Sequence, residues 1–313
     1  MSDPKTEHFV APIDDAVVEV DALKLDEQKS NLWLDAWRDL RRRPLFYAAL
    51  GMVLLVTVMA LWPTLFTDVP PNDDCQLSNS NSAATAGHPM GFTFQGCDVY
   101  ARVVWGARTS LAVGILVVAI TAVIGIPMGA IAGFFGGKVD SILSRIGDIF
   151  FSIPYFLAAV VVMSVLADMR SVWTIALAIG GFAWASLARI LRAEVLQVKN
   201  SDYVMASEAV GRGRMSTLLR HVLPNSLTPV IVTLTISLGA AIVAEATLSF
   251  LGIGLGDTIM SWGNDISKAQ TSIRTSPMAL IWPSLVLTLT VLAFIVLGEL
   301  IRDALDPKAR ARR

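Results

Sequence analysis

The sequence predicts an all-α, polytopic membrane protein with six transmembrane helices. Hydrophobic residues make up 54% of the chain, charged residues only 16%, and the mean hydropathy is +0.60. A soluble protein normally carries about 25% charged residues. The apolar residues are gathered into six segments of roughly 18 to 25 residues, the length that crosses a hydrocarbon core about 30 Å thick. Composition and segment length together indicate a chain that crosses the membrane several times.

The basic residues are unevenly divided between the segments that separate these spans. With the N-terminus placed in the cytoplasm, 20 of the 25 lysine and arginine residues fall in cytoplasmic segments. Cytoplasmic loops of membrane proteins carry such an excess, so we expect both termini inside the cell. The spans are predicted at residues 45–66, 111–135, 149–166, 172–190, 227–251 and 279–301.

The segments around the spans differ in composition. Residues 1–30 are acidic and polar without sustained periodicity, which indicates a flexible tail. Residues 31–44 combine Trp33 and Trp37 with four arginines, a pattern typical of an amphipathic helix at the membrane surface. The predicted order is cytoplasmic tail (1–30), interfacial helix (31–44), first span (45–66), extracytoplasmic segment (67–110), a core of five spans (111–307) with a cytoplasmic loop at 194–225, and a second tail (308–313).

Residues 202–225 form the longest polar interval in the second half of the chain. Their first part predicts a short helix over residues 202–210, with Ser201 or Asp202 at its N-cap. On helix pattern alone, an ordinary amphipathic connection between two spans explains this segment equally well.

The second part of the loop predicts a turn and another helical piece. Gly211 favours the turn, and the following helix is expected to run from Ser216 and to stop at Pro224. Small side chains at Ala206 and Ala209 would let such a unit dock closely on a partner. A compact helical unit of this kind can transmit a push from outside the membrane as a rigid body.

The loop resembles the EAA loop of the permease subunits of bacterial ABC importers. That signature reads E-A-A, three residues, G, nine residues, and I-x-L-P. Ala206, Gly211 and Pro224 occupy matching positions. Met205 departs from the Glu of the signature, and His221 departs from its Ile.

In that family the loop forms the coupling helices that dock on the ATPase subunit. The resemblance therefore implies that a set of loop residues couples this chain to an ATPase. Those residues are Tyr203, Met205, Ala206, Ser207, Gly211, His221, Leu223 and Pro224.

Other stretches are similar to the peptide-importer branch, the dipeptide and oligopeptide permeases. They are the run A-E-A-T-L-S-F-L-G at residues 244–252, S-W-G-N at 261–264 and R-D-A-L-D-P at 302–307. The resemblance extends over nearly the whole chain. It implies the type I ABC importer permease fold and the second-permease type, which carries an external segment after its first span.

The resemblance also implies a role and a set of partners. We expect a non-catalytic, pore-forming subunit of an ATP-driven oligopeptide or dipeptide importer in the bacterial inner membrane. It would pair with a homologous permease, and two cytoplasmic ATPases would bind ATP and Mg²⁺. An extracytoplasmic binding (lipo)protein would deliver the peptide. The chain itself is expected to contact membrane lipid and to hold no cofactor, metal or nucleic acid.

Other cargoes and other classes remain alternatives. The same fold could import nickel, glutathione or another small solute. A secondary transporter driven by an ion gradient would favour paired intramembrane charges and paired broken helices, whereas only Glu245 is a clear charged candidate within a span. A membrane enzyme would need a clustered nucleophile, metal or acid–base set, and the sequence suggests none.

Glu245 and Pro154 are the candidate pathway or gating residues. A carboxyl inside a span is costly and should face protein or a wet cavity, so Glu245 is either a gating residue or a hydrogen-bonded structural carboxyl. Pro154 should kink the third span. Arg145 and Asp148, three residues apart before it, predict an ion pair on one helix face.

Cys75 and Cys97 are the only cysteines, and both lie in the predicted extracytoplasmic segment. An oxidising exterior permits a disulfide there, and the alternative is two unrelated thiols. Closing this loop would stabilise the segment by roughly 3 kcal/mol in the chain-entropy model.

Three glycines recur every fourth residue in the second span, at Gly125, Gly129 and Gly133. They leave one helix face bare, so we expect a neighbouring helix to pack closely there. The nearby Gly136-Gly137-Lys138 does not complete a phosphate-binding loop, because the flanking positions lack the required Gly and Ser or Thr.

Overall fold

The structure, a computed structural model, describes residues 32–72, 75–256 and 258–305. The tails predicted at 1–30 and 308–313 lie outside these residues. Within the described ranges the chain forms helices, turns and two isolated β-bridges, with no β-strand. The all-α prediction is therefore confirmed for this part of the chain.

Helices lie along nearly the whole described chain. The first six are α1 (Leu32–Leu40), α2 (Pro44–Leu61), α3 (Val99–Phe135), α4 (Gly137–Ser152), α5 (Tyr155–Val165) and α6 (Val172–Val198). The next six are α7 (Asp202–Ala209), α8 (Arg214–Thr217), α9 (Leu223–Ser226), α10 (Thr228–Phe250), α11 (Trp262–Ala269) and α12 (Met278–Leu305). A π-helical turn, Leu218–Val222, joins α8 to α9, and short 3₁₀ turns lie at Pro63–Leu65, Leu77–Asn79, Ala167–Met169 and Gln270–Ser272.

Five of these helices (α2, α3, α6, α10 and α12) are long and apolar enough to cross a membrane, and a sixth span results if the bent pair α4–α5 is counted as one. Helices α10 and α12 begin within one residue of the predicted spans. Helix α3 begins earlier than predicted, at Val99, because the Asp98 side chain accepts a hydrogen bond from the backbone N–H of Tyr100 (2.8 Å) and caps the helix. Helix α6 continues past the predicted end at residue 190 to Val198.

The third span, predicted as one helix at residues 149–166, is formed by two helices, so the prediction of a continuous helix is wrong. Helices α4 and α5 meet at an angle of 74° at Ile153 and Pro154. The kink expected at Pro154 is therefore a complete break, with Pro154 at the N-cap of α5. Proline has no backbone N–H to continue the helix.

The ion pair expected within α4 is also absent, because Asp148 faces α6 and pairs with Arg189 (3.0 Å) instead of Arg145.

Helices α3 and α6 form the closest packing of the bundle, and the glycine repeat explains it. An ideal Cβ on Gly129 would lie 2.4 Å from the backbone oxygen of Ala188, and one on Gly125 would lie 3.0 Å from that of Trp184. Only glycine allows the two backbones to approach this closely. The packing interpretation of the repeat is confirmed.

The remaining long helices complete the bundle around this pair. Helix α10 packs on α3 and α12, and α12 also packs on α1 and α2. Arg43, which precedes α2, holds the two chain ends together by pairing with Asp39 (2.6 Å) and Asp303 (3.1 Å). The described parts of the segments predicted to be cytoplasmic lie at one end of the bundle; we call it the inner end and the opposite one the outer end. The orientation itself stays a prediction.

Candidate functional site: a helical loop at the inner end

The loop between α6 and α10 folds into short helices at the inner end. Helix α7 agrees with the first predicted helix of the loop. Ser201 precedes it but makes no side-chain cap, because its Oγ donates a hydrogen bond to the Val198 carbonyl (2.5 Å) instead. After α7, Gly211 has a positive φ of 85°, which favours glycine. The turn expected there is confirmed.

The second helical piece does not stop at Pro224, which corrects the prediction. A π turn ends just before the proline, and the Leu223 N–H bonds back to the Leu218 carbonyl. The π turn, with its wider hydrogen-bond spacing, leads directly into α9. Pro224 is among the first two residues of α9, where the missing backbone N–H of a proline is tolerated. Leu227 also has helical angles, so helical backbone runs from Arg214 through α10.

Three apolar side chains fix the loop to the bundle. Val204, Leu218 and Val222 are at most 2% exposed. They join a buried cluster that includes Phe134 of α3 and Leu191 of α6. Burying side chains of this size stabilises by roughly 1.5–3 kcal/mol each. The loop is thus fixed to the ends of α3 and α6 as a rigid unit.

Other apolar side chains of the loop point away from the bundle. Val210 is 88% exposed, and the remaining members are about half exposed. We call this set the exposed apolar face: Tyr203, Met205, Val210, Met215 and Leu219. Several large apolar side chains exposed on one short loop beside a well-packed core indicate a surface for another protein.

The predicted coupling residues divide between this face and the support beneath it. Tyr203 and Met205 belong to the exposed apolar face, and Ala206, Gly211 and Pro224 are also exposed. The other three lie partly buried: Ser207, His221 and Leu223.

Polar contacts stiffen the same region. The His221 Nε2 lies 3.1 Å from an Arg212 guanidinium nitrogen, and the Arg214 guanidinium lies over the ring of Phe135 at 5.1 Å. Lys199, just before the loop, donates to the Gly133 carbonyl at the end of α3 (2.8 Å). The loop is therefore tied by side chains to both α3 and α6, and a force on the loop would act on both helices.

Glu245 lies near the other end of α10 and is fully buried. Its carboxylate accepts hydrogen bonds from Ser261 (2.8 Å), Ser249 (3.0 Å) and Ser110 (3.4 Å). These four residues, which we call the serine–glutamate cluster, tie α3, α10 and the start of α11 together. Full burial and three serine hydrogen bonds favour the structural alternative for Glu245, and its gating role stays a prediction.

We expect Glu245→Gln to preserve assembly and uptake, and Glu245→Leu to destabilise the protein by about 3 kcal/mol. Glutamine retains an acceptor oxygen, and serine hydroxyls can either donate or accept, whereas leucine leaves buried hydroxyls unsatisfied at roughly 1–3 kcal/mol each. Thermal unfolding and uptake by the purified complex would measure both effects. Loss of uptake in a Glu245→Gln protein of normal stability would instead indicate a role in the pathway.

The outer end contains a buried ion pair that the sequence reasoning missed. Arg102 of α3 donates through Nε to Asp265 of α11 (2.8 Å), and through another nitrogen to the Asn72 side chain (2.8 Å). Arg102 and Asp265 are 4% and 7% exposed. Burial raises the pKa of the Asp265 carboxyl, although the Arg102 guanidinium acts in the opposite direction. The sequence offered no local signal for this pair, because Arg102 lies in the predicted extracytoplasmic segment and its partner is 163 positions away.

The external segment is closed by a covalent bond. Cys75 and Cys97 form a disulfide at a sequence separation of 22. The segment then joins α3 through Asp98, whose carboxylate also lies 2.9 Å from the His88 ring. Disulfide and cap together place the external segment directly over the start of α3.

Pro154 lies beside a groove rather than on its wall. The next two residues, Tyr155 and Phe156, line an open, mainly apolar groove of about 430 Å³ between α5, α10 and α12. The other lining residues include Ala240 and Val243 of α10 and Ile295 of α12. The break at Pro154 therefore sets the position of the first turn of α5 against this groove.

Comparison with known proteins places these features in a family. A family profile described as "Binding-protein-dependent transport system inner membrane component" matches residues 125–311. A second, described as "N-terminal TM domain of oligopeptide transport permease C", matches residues 31–84. Together they account for most of the chain.

Individual relatives are similar over nearly their full length. The oligopeptide transport system permease protein OppC of Bacillus subtilis is 34% identical, with 93% of this chain and 94% of the relative covered. The dipeptide transport system permease protein DppC of the same organism is 37% identical (88% and 86% covered). The glutathione transport system permease protein GsiD of Pectobacterium atrosepticum is 32% identical (91% and 94% covered).

A solved structure shares the fold. A chain of the MetNI methionine ABC transporter, in inward-facing conformations, aligns with a TM-score of 0.55 at 21% identity. The alignment covers 66% of this chain and 96% of that chain. The comparison supports the predicted ABC importer permease fold for the larger part of the bundle.

Proposed function

Because the chain belongs to the family of inner-membrane components of binding-protein-dependent transport systems, we propose that it is a pore-forming permease subunit of an ATP-driven importer of oligopeptides or dipeptides. The observation that carries the mechanism is the loop at the inner end, which is fixed to α3 and α6 and presents the exposed apolar face outward. The similarity to oligopeptide and dipeptide permease proteins over nearly the whole chain supports the cargo.

In the proposed mechanism, the chain supplies movement rather than chemistry. Two cytoplasmic ATPases bind ATP and Mg²⁺ and close, and the exposed apolar face follows the ATPase on which it docks. The buried anchors Val204, Leu218 and Val222 pass this displacement to the helices. The helices then alternate between outward-open and inward-open states, which ATP shifts by binding one state better than the other.

The proposed assembly contains further partners. A homologous permease completes the pore as a heterodimer, and an extracytoplasmic binding (lipo)protein releases peptide at the outer end. Both termini lie in the cytoplasm in this arrangement, as the distribution of basic residues favours. The chain would contribute no cofactor, metal site or nucleic-acid contact of its own.

A second candidate cargo is glutathione. The permease similar to this chain at 32% identity carries that substrate in its name. Glutathione is itself a small peptide, so the two cargoes place similar demands on a pore. Nickel or another small solute would be a more distant variant of the same function.

Affinity purification of the tagged subunit from native membranes tests the proposal. We expect a second permease, two ATPases and a peptide-binding lipoprotein to co-purify, and the reconstituted complex to import labelled di- or oligopeptide only with ATP. Competition with unlabelled glutathione would decide the cargo. Recovery of the chain alone or as a homo-oligomer, in a detergent known to preserve such complexes, would contradict the proposal and favour a secondary transporter.

A tryptophan at Gly211 should uncouple the complex. Its φ of 85° is strained for other residues, and the space around it is open, so the indole would protrude beside the exposed apolar face. Inserting a bulky side chain into a packed interface costs about 1–3 kcal/mol of binding free energy. We therefore expect ATPase binding about tenfold weaker, with a matching loss of uptake. Titration of the ATPase and an uptake assay measure this, and a charged or bulky residue in place of exposed Ala206 should act similarly.

Gly87 provides the matched control for this substitution. Its φ is 86° and the space around it is also open, but it lies at the outer end. Gly87→Trp therefore brings the same backbone strain without touching the loop, and ATPase binding should not change. Normal coupled uptake by an assembled Gly211→Trp complex would refute the coupling assignment.

A further inference from the structure

Helix α4 is attached to the bundle in an unusual way. It contains no buried residue, whereas α3 and α6 on either side each contain many. Apolar burial therefore contributes little to holding it in place. Its attachment rests mainly on ion pairs and ring contacts with the inner half of α6.

The first ion pair is bidentate. Arg192 of α6 donates from Nε to Asp140 Oδ1 (2.5 Å) and from a terminal nitrogen to Oδ2 (2.6 Å). Ser144, one turn further along α4, also donates to Asp140 (3.0 Å). Paired arginine–carboxylate bonds fix orientation as well as distance, so α6 controls the rotation of the start of α4.

A second set of contacts lies further along α4. Asp148 pairs with Arg189 (3.0 Å), whose guanidinium stacks over the Phe151 ring at 3.8 Å. The Phe150 ring lies 5.2 Å from that of Trp184. All of these partners on α6 fall between Trp184 and Arg192, close to the helix end that continues into the loop.

Between the attachments the packing is loose. A cavity of about 280 Å³ separates α4 from α3 and α6, lined by residues such as Met128, Leu143 and Trp184. This space is partly open to the surroundings rather than an enclosed void, and along it α4 lacks the atom contacts that would resist sliding. The ion pairs therefore decide how far α4 follows α6.

We propose that Asp140 and Arg192 are positioning residues for transport, which make α4 move with α6 so that displacement of the loop reaches the break at Pro154. The inference rests on the proposed function. The loop moves α6, the bidentate pair carries α4 with it, and α4 swings α5 about Pro154. Tyr155 and Phe156 then shift against the groove between α5, α10 and α12.

Distance measurements on the assembled complex test the linkage directly. Spin labels at Lys138→Cys on α4 and Gln197→Cys on α6 occupy exposed positions, and the native cysteines are paired. We expect the distance between labels to be the same in nucleotide-free and ATP-trapped complexes. In the Asp140→Asn background it should differ between the two states. A distance that changes in the unmutated background would overturn the proposal, because α4 would then not move with α6.

Transport per ATP gives the functional test. Asp140→Asn should retain ATPase binding and ATP hydrolysis while lowering substrate imported per ATP by about tenfold. The exchanged pair, Asp140→Arg with Arg192→Asp, should recover most of that loss because it restores an ion pair at the same place. Failure of the exchange to recover coupling, or a proportional fall of stability, hydrolysis and uptake, would mean that the pair has only a structural role.

A control separates this inference from the proposed function. Glu299→Gln removes another carboxylate–arginine pair at the inner end, with Arg302 (3.9 Å) on α12, and should leave coupling unchanged. If the unmutated complex imports no peptide with ATP, the proposed function fails. If it does so and Asp140→Asn couples normally, only the role of α4 fails.

Discussion

Replacing Gly129 by alanine is expected to separate α3 from α6 and to destabilise the complex by about 2–3 kcal/mol. The new Cβ would lie 2.4 Å from the Ala188 carbonyl oxygen and 3.1 Å from its Cα. Both are backbone atoms, so no side chain can turn aside to make room. The helices must move apart along the surface that supports the loop. Thermal unfolding of the purified complex would measure the change.

Gly147 offers a matched control in α4. It also lies inside a helix, but its Cβ would meet no atom within 4 Å. Alanine is favoured over glycine in helices by about 0.5–1 kcal/mol, so Gly147→Ala should leave stability unchanged or raise it. Equal stability of the Gly129→Ala and Gly147→Ala proteins would show that the close approach of α3 and α6 does not exist in the assembled protein.

Removing the charge of Arg102 should destabilise the outer end even more strongly. Arg102→Met leaves the buried Asp265 carboxylate without its cation, a loss that costs about 3–5 kcal/mol when a buried ion pair is broken. The variant also removes the hydrogen bond to Asn72. We expect poor accumulation of the complex in membranes, measured by size-exclusion chromatography and by the unfolding temperature.

A double substitution identifies the buried charge as the cause. Arg102→Met combined with Asp265→Leu should recover much of the lost stability, since apolar residues can replace a buried ion pair. The exposed pair of Asp35 and Arg38 is the control, and Arg38→Met should cost less than about 0.5 kcal/mol. A cost for Arg102→Met as small as that of the control would contradict the assignment.

The long helices were predictable because their signal is local. A run of apolar residues of spanning length marks α2, α10 and α12, and each begins within one residue of its predicted start, although α2 ends at Leu61 and α12 at Leu305 rather than at residues 66 and 301. The first turns of α3 escaped the prediction because Arg102 and Arg108 interrupt the apolar pattern. Arg102 is tolerated there only because Asp265, far away in sequence, neutralises it. A hydropathy profile does not detect an ion-pair partner that lies so far away in the sequence.

In the loop, too, the features set by neighbouring residues were predictable, and those set by tertiary contacts were not. The helix pattern and the glycine turn predict α7, and the resemblance to the EAA loop implies which residues would couple to an ATPase. Because proline has no backbone N–H, the sequence predicted that the helix would stop at Pro224. In the structure a π turn precedes the proline, and the helical backbone continues past it. The break in the third span is a local effect of Pro154. The bend of 74° is not readable from sequence, because the attachment of α4 to α6 helps to set it.

The uninterrupted helical path from the loop into α10 makes this part of the chain a lever. The serine–glutamate cluster fixes one end to α3 and α11, so it serves as the pivot. From Arg214 to Glu245 the helical path is about 45 Å long at 1.5 Å per residue. Because the loop is also fixed to α3 and α6, these helices would tilt together with α10, and a tilt of about 5° would displace their inner ends by about 4 Å. Small rotations at the outer end and large excursions at the inner end are thus the same motion, and the leverage is fixed by where the pivot lies along α10.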